Sequence, residues 1–362
     1  MNKQPYKLLI VDDSPVMRRA IASMFDADEE VTVVGEAGNG HEALDAVATL
    51  DPDVVTLDVN MPGMDGLATI KRLMIQSPRP TVMLSSLTRE GSQITFDALR
   101  YGAVDFVTKP SQDGAEELQT QIDDIRSKVM FAADVEQQAI KYIRAQEDNS
   151  ITRVGRQPLR HIVAMGAHEG GYGFLKIIPH LKADDAAAYL AVVYVSHRHI
   201  DAFVDYLNVY SSVLVKRANH GQVLEAGVCY ISSGDDYMTV HNDGGMPTIH
   251  VRPAPFSSRK GSVDMLLFSV ADCVADASVG IVLSGSGDDG AEGLEEVDRV
   301  GGTAIIQDPR TCLCKEMAEA AINRSQSALI VADTDIVSSL QTVLQQDASE
   351  SVREAHVQAS AV

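Results

Sequence analysis

The sequence predicts an α/β protein made of two doubly wound domains, each on a mainly parallel sheet. Three observations carry this. Short apolar runs alternate with amphipathic helical stretches along most of the chain, the pattern of repeated βαβ units. Runs such as Leu8-Leu9-Ile10-Val11 and Val54-Val55-Thr56-Leu57 are continuous, as strands covered on both faces require. At 362 residues and 45% hydrophobic content, the chain is long enough to bury two cores.

In the first domain, apolar runs at 7–11, 31–35, 53–57, 80–84 and 104–107 predict five strands, with helices near 15–26, 39–50, 67–76 and 92–101. Ser14 is placed to cap the first helix and Pro15 fits its first position. Ligands of such sheets bind beyond the carboxyl ends of the strands. Asp12 and Asp13 end the first strand, Asp58 the third, Ser85 and Ser86 the fourth, and Lys109 follows the fifth. Three carboxylates brought to one edge repel, and a hard divalent cation relieves that repulsion. Asp58 then offers an attacking oxygen and Lys109 a positive charge for a developing phosphoryl group.

Residues 111–158 open with the turn-like SQDG and continue as a helical pattern through Leu118, Ile122, Ile125, Val129 and Met130. A closing helix with a solvated extension is predicted, then a flexible polar link from Gln146 to Gln157.

The second domain repeats the alternation, with strands expected at 161–165, 189–195, 228–232, 278–283, 303–306 and 328–331. Helices are expected near 171–180, 201–210, 263–275, 291–300 and 316–323, and the strand-rich interval 212–260 is expected to form hairpins over one sheet edge. Three strand ends should converge: 166–171, 196–199 and 284–290. The first, Gly166-Ala167-His168-Glu169-Gly170-Gly171, reads as a strand breaking into a glycine-lined elbow that holds one side chain above the sheet. A serine there would be a nucleophile beside backbone N–H groups; the residue is His168. His197 and Asp289 mark the other two ends.

Thirty basic residues against 51 acidic give a net charge of −21, shared as −9 before residue 146 and −12 after it. Neither half has the basic excess of a nucleic-acid-binding domain, so no nucleic-acid partner is expected. The N-terminal apolar run is too short for a signal peptide and no segment approaches a membrane span, so a cytoplasmic protein without membrane insertion is expected. Cys229, Cys273, Cys312 and Cys314 lack the spacing of a zinc site or disulfide framework.

Residues 5–125 resemble the two-component receiver family, and Val59–Gly66 and Ser85–Ser92 resemble its methylesterase branch. The resemblance implies a flavodoxin-like receiver with Asp58 as phosphoacceptor. It implies Mg²⁺ at Asp12, Asp13, Asp58 and the carbonyl of Asn60, Ser85 and Lys109 at the phosphoryl group, and Phe106 as the switching aromatic. From about 160 to 335 the chain resembles the chemotaxis methylesterase (CheB) family, whose elbow reads Gly-Ala-Ser-Thr-Gly-Gly. His168 fills the serine slot and Glu169 the threonine slot, while His197 and Asp289 match the family's catalytic histidine and aspartate. The family's His-Met-Pro-Pro is His197-Arg198-His199-Ile200 here, and its Gly-Met-Gly-Asn-Asp-Gly is Gly285-Ser286-Gly287-Asp288-Asp289-Gly290.

The organisation expected is a receiver at 1–125, a helical extension and linker at 126–158, a methylesterase-like domain at 159–345 and a disordered tail at 346–362. The resemblance implies a phosphorylation-controlled chemotaxis-type regulator. A chemotaxis-type histidine kinase is its phosphodonor and methyl-accepting chemoreceptors are its targets; in the family the receiver covers the esterase mouth until phosphorylation releases it. Because the triad arrangement needs a nucleophile that His168 does not supply, ester hydrolysis is expected to be impaired and the output to act by binding. The alternative is an active glutamate methylesterase and glutamine deamidase with a relocated nucleophile, Ser196 or Ser286. A third is a phosphate sink in which only the receiver matters. His168, His197 and Asp289 also form a two-histidine, one-carboxylate set suited to a transition metal if all face inward. A filled, inert pocket is the commoner outcome, so no cofactor is predicted in the second domain.

Overall fold

The computed structural model describes residues 4–85, 89–109, 115–135, 139–140, 158–168, 172–183, 186–195, 197–255 and 261–345. The chain divides into two units, Met1–Ala145 and Gln146–Val362. The predicted linker at 146–157, Ser86, the elbow residues Glu169, Gly170 and Gly171, Ser196 and the tail 346–362 lie outside the described residues. Among the described residues no helix is long and apolar enough to cross a membrane.

The first unit holds strands β1 (Tyr6–Val11), β2 (Val31–Ala37), β3 (Val54–Asp58), β4 (Thr81–Ser85) and β5 (Asp105–Thr108). They form one parallel sheet in the order β2-β1-β3-β4-β5. Helices α1 (Pro15–Ser23), α2 (Gly40–Leu50), α3 (Gly66–Gln76), α4 (Arg89–Arg100) and α5 (Ala115–Asp134) flank it. β3 and β4 are buried throughout and β1 from Leu8 onward, which is why these stretches are unbroken apolar runs. Ser14 caps α1 as expected, accepting from the Met17 N–H, and Pro15 takes the first helical position. Gly66 starts α3 directly beneath Asp58: a Cβ there would lie 2.2 Å from the Asp58 carbonyl oxygen. The connector helix buries Ile125 and Val129 on the sheet, while Leu118 near its start is exposed.

The second unit carries a seven-stranded parallel sheet of β6 (His161–Ala167), β7 (Ala187–Val193), β8 (Leu214–Arg217), β10 (Val228–Ser233), β13 (Ser278–Val282), β14 (Thr303–Gln307) and β15 (Leu329–Val331). Their order is β15-β14-β13-β6-β7-β10-β8. The order reverses at β6, so the switch point of this sheet falls where the elbow leaves it. Helices α6 (Tyr172–Ile177), α7 (His197–Tyr210), α8 (Ser262–Val274), α9 (Ala291–Arg299) and α10 (Glu316–Arg324) complete the layers. Gly166 is required by close packing, since a Cβ would meet Val263 Cγ1 at 2.1 Å.

The interval 212–260 departs from expectation. Only β8 takes the sheet edge, and it is parallel to β10. Strands β11 (Asp236–Asp243), β12 (Met246–Pro253) and β9 (Gln222–Val223) form a separate antiparallel sheet over α8. Met238, Val240 and Ile249 bury one face of it in the core with Leu266 and Val270, and the Val240 N–H donates to Ser269 Oγ. A half-apolar hairpin is stabilised more by a helix face than by a strand edge that β8 already covers.

Candidate functional site

At the carboxyl edge of the first sheet, Asp12 and Asp58 are fully buried at the ends of β1 and β3, with exposed Asp13 beside them. One carboxylate oxygen from each of the three falls within 4.8 Å of the others. Lys109 Nζ lies 2.8 Å from Asp12 Oδ2 and 2.7 Å from Asp58 Oδ2. The opposite oxygens accept backbone N–H groups, Asp12 Oδ1 from Ser14 at 2.9 Å and Asp58 Oδ1 from Asn60 at 3.1 Å. These amides fix the rotamers and aim the Oδ2 atoms at one point. Apart from Lys109, neither buried Oδ2 has a donor, and a carboxylate in that state favours a cation. The donor set therefore fits Mg²⁺.

Burial raises the Asp58 carboxyl above the ordinary aspartate range, against the pull of Lys109 and the Asn60 N–H. Burial also draws the Lys109 ammonium down, but hydrogen bonding and attraction from Asp12 and Asp58 outweigh it and hold it above an ordinary lysine. Ser85 is buried at the end of β4, where its Oγ accepts from Thr95 Oγ1 at 3.2 Å. Phe106 is half-buried on β5, its ring edge-on to Phe96 at 6.2 Å between centroids. Lys128 Nζ donates to the Phe106 carbonyl and stands 5.3 Å from the ring centre, tying this aromatic to α5.

In the second unit, His168 emerges from β6 at the switch point. Its ring stacks at 4.2 Å on Tyr194, which follows β7, and its Nδ1 lies 3.3 Å from Ser286 Oγ in the exit from β13. Gly285 permits this approach: a Cβ there would meet His168 Cβ at 2.6 Å and Met317 Sδ at 2.2 Å. His168 also lines a cavity of about 10 Å³ with Gly173, Lys176 and Asp333, barely the space of one water.

His197 and Asp289, the two triad positions that the family resemblance implies, have different partners in this structure. Asp289 is buried, and its Oδ2 accepts the Tyr194 hydroxyl at 2.5 Å and the Val263 N–H at 3.1 Å, while its Oδ1 accepts the Asp264 N–H at 2.9 Å. His197 instead faces Asp236, with Nε2 3.6 Å from Oδ1, and its side chain is 46% exposed at the start of α7. The physical reason is competition. A buried phenol needs an acceptor, and Tyr194 reaches the aspartate from inside the sheet where the helix-start imidazole does not. Burial and the Asp289 charge hold the Tyr194 phenol far above its ordinary range, so it remains a donor. The alternative two-histidine, one-carboxylate set is not assembled either, since Asp289 is held by Tyr194 while His197 faces Asp236.

Tyr194 was missed as a functional residue. The signal was a tyrosine at the exit of a wholly buried strand, whose hydroxyl had to find a partner near the strand ends. Gly234 completes its seat, since a Cβ there would meet the Tyr194 ring at 2.3 Å, and Ser262 Oγ donates to the Gly234 carbonyl.

Comparison with known proteins places residues 8–123 in the response regulator receiver domain family and residues 163–340 in the CheB methylesterase family. A protein-glutamate methylesterase/protein-glutamine glutaminase of Pyrococcus horikoshii is 36% identical over 332 residues, covering 90% of each chain. The protein of the same name from Halalkalibacterium halodurans is 35% identical over 323 residues, 88% of this chain and 92% of its own.

Two outcomes follow from this geometry. Lys109→Ala leaves two buried carboxylates facing each other and should cost about 3 kcal/mol of stability or more in metal-free buffer. Millimolar Mg²⁺ should restore much of it, so thermal melts with and without Mg²⁺ should diverge more for the variant than for wild type. The Asp264 carboxyl is pushed up to about 6 by burial and by Asp289, against the Gly293 N–H. Its folded value exceeds the unfolded 3.8, so stability is greatest below about pH 4 and falls as pH rises through 6. Asp264→Asn should therefore gain about 1–2 kcal/mol at pH 8, allowing for partial solvent screening, and nothing at pH 4 in denaturant melts.

Proposed function

Because the chain belongs to the CheB methylesterase family and carries a receiver ahead of that domain, we propose a phosphorylation-controlled chemotaxis-type regulator whose output domain acts by binding, not by ester hydrolysis. The observation that carries this reading is the state of Asp289. Its three hydrogen bonds come from Tyr194 and the start of α8, and none comes from an imidazole. Hydrolysis by a serine triad requires a hydroxyl, a base and an orienting carboxylate in sequence. Here His168 fills the first position, and the other two members face different partners.

In the receiver, the Asp58 carboxylate attacks the phosphorus of the donor's phosphohistidine, the N–P bond breaks as the imidazole leaves, and Lys109 neutralises the phosphoryl oxygens. Asp12, Asp13, Asp58 and the Asn60 carbonyl would hold Mg²⁺, which shields the same oxygens when bound. A chemotaxis-type histidine kinase is the donor that this design implies. Methyl-accepting chemoreceptors are the binding targets, and the cytoplasm is where both meet this protein. The residue ranges 1–125, 126–158 and 159–345 serve as receiver, connector and binding module.

One observation favours the alternative, an esterase with a moved nucleophile: the 3.3 Å contact between Ser286 Oγ and His168 Nδ1. In that reading the elbow imidazole is the base and the serine of the β13 exit attacks the ester.

Methanol release from methylated receptors separates the two readings. The binding reading expects wild type to be slower than a serine-triad relative by on the order of 10⁶. It also expects His168→Ser alone to restore nothing, since Asp289 stays with Tyr194. Turnover by wild type that Ser286→Ala or His197→Ala abolishes would refute it. For the receiver, Asp58→Asn should remove phosphoryl uptake from a small acyl phosphate entirely, measured by intact mass or by a phosphate-affinity gel.

A further inference from the structure

Three of the ten histidines of the chain meet on the hairpin sheet of the second unit, away from every residue discussed above. In the β11–β12 register Thr239 pairs with His250 and His241 with Thr248, so His241 and His250 sit one diagonal step apart on the same face. That face is opposite to the one bearing Met238, Val240 and Ile249, which are in the core. His220 arrives from the other side of β12, in the turn pinned by the Gly221 N–H donating to the Ile249 carbonyl at 2.8 Å. The His250 ring stands between its neighbours, 4.8 Å from the His220 centroid and 4.6 Å from the His241 centroid.

The hydrogen bonds around these rings decide what they can do. His250 Nε2 is 2.8 Å from Asp243 Oδ2, and an ionised carboxylate only accepts, so Nε2 carries the proton and the neutral ring keeps its lone pair on Nδ1. His241 Nε2 is 2.9 Å from Thr239 Oγ1, an oxygen able to accept in the same way. An imidazole bonded through one nitrogen to a carboxylate or oxygen acceptor, with the other nitrogen free, is how metal-ligating histidines are held and made more basic. Nothing in the receiver or in ester chemistry uses this arrangement.

We propose that His220, His241 and His250 form a binding site for a divalent transition ion of the zinc, cobalt or nickel class, with Asp243 orienting His250. Imidazole suits these ions, and three nitrogens plus water complete a four-coordinate shell. In this structure the rings are tilted against one another and do not bring three ligand nitrogens within 4.8 Å, and they close on an ion by side-chain rotation of the exposed His220 and His241. A net charge of −12 on this half of the chain draws the cation toward it.

The test is a Co²⁺ titration of the tag-free full-length protein in excess Mg²⁺, which occupies the receiver carboxylates. One equivalent should bind with the visible absorption of a four-coordinate nitrogen site. His241→Ala and His250→Ala should each weaken binding at least tenfold, and Asp243→Asn by roughly 10–100-fold, the usual effect of losing an orienting partner. Asp12→Ala should leave the signal unchanged. Thermal melts of each variant establish that it is folded. Absence of a stoichiometric visible signal, or equal binding by folded His241→Ala and His250→Ala proteins, overturns the proposal.

Discussion

The hydrogen bond from the Tyr194 hydroxyl to Asp289 organises the second domain's mouth. It joins the exit of β7 to the start of α9 inside a buried space, and the same carboxylate gathers two amides from the start of α8. A buried carboxylate with three donors is satisfied and strongly positioned, so detaching it leaves an acceptor or a phenol without a partner, at about 1–3 kcal/mol for each group. The surroundings accommodate this arrangement from every side. Gly234 gives way to the tyrosine ring, His168 stacks on it, and Gly285 lets His168 come close. A triad geometry would have to undo several of these contacts at once.

The two domains use one construction for different ends. Both gather polar side chains at the carboxyl edge of a parallel sheet because that is where the chain leaves the buried strands. In the receiver the gathered groups remain in electrostatic tension. Asp12, Asp13 and Asp58 bring three negative charges together, while Lys109 is the one cation among the described residues paired with Asp12 and Asp58, so the site is prepared for further positive charge. In the second domain the gathered groups relax against one another through Tyr194, Ser286 and the helix-start amides. A site with unmet demand takes ligands readily; one whose donors and acceptors are matched internally has less to offer a reacting carbonyl.

Much of this is legible in the sequence alone. The unbroken runs at 8–11 and 54–57 announced central parallel strands, and both sheets have the expected parallel core. Asp12, Asp13, Asp58 and Lys109 were each visible at a strand end, and strand-end position in a parallel sheet is nearly a spatial coordinate. The pairing of His197 with Asp289 was not readable in the same way. Matching positions say where a backbone goes, whereas the partner of Asp289 is decided by which donor reaches it first, and Tyr194 lies deeper in the sheet. The hairpin was misplaced because alternation in Asp236–Asp243 marks one apolar face without saying what covers it. The His220, His241 and His250 group depends on the register between two strands and a turn, which spacing along the chain does not reveal.

The central proposal is that this output domain has no nucleophile competent to attack an ester. Intact-mass analysis after incubation with a fluorophosphonate, which reacts with activated serine hydroxyls, tests it most directly. The account predicts an unmodified mass for the full-length protein, phosphorylated or not. A stoichiometric adduct mapped to Ser286, and lost in His168→Ala, would contradict it.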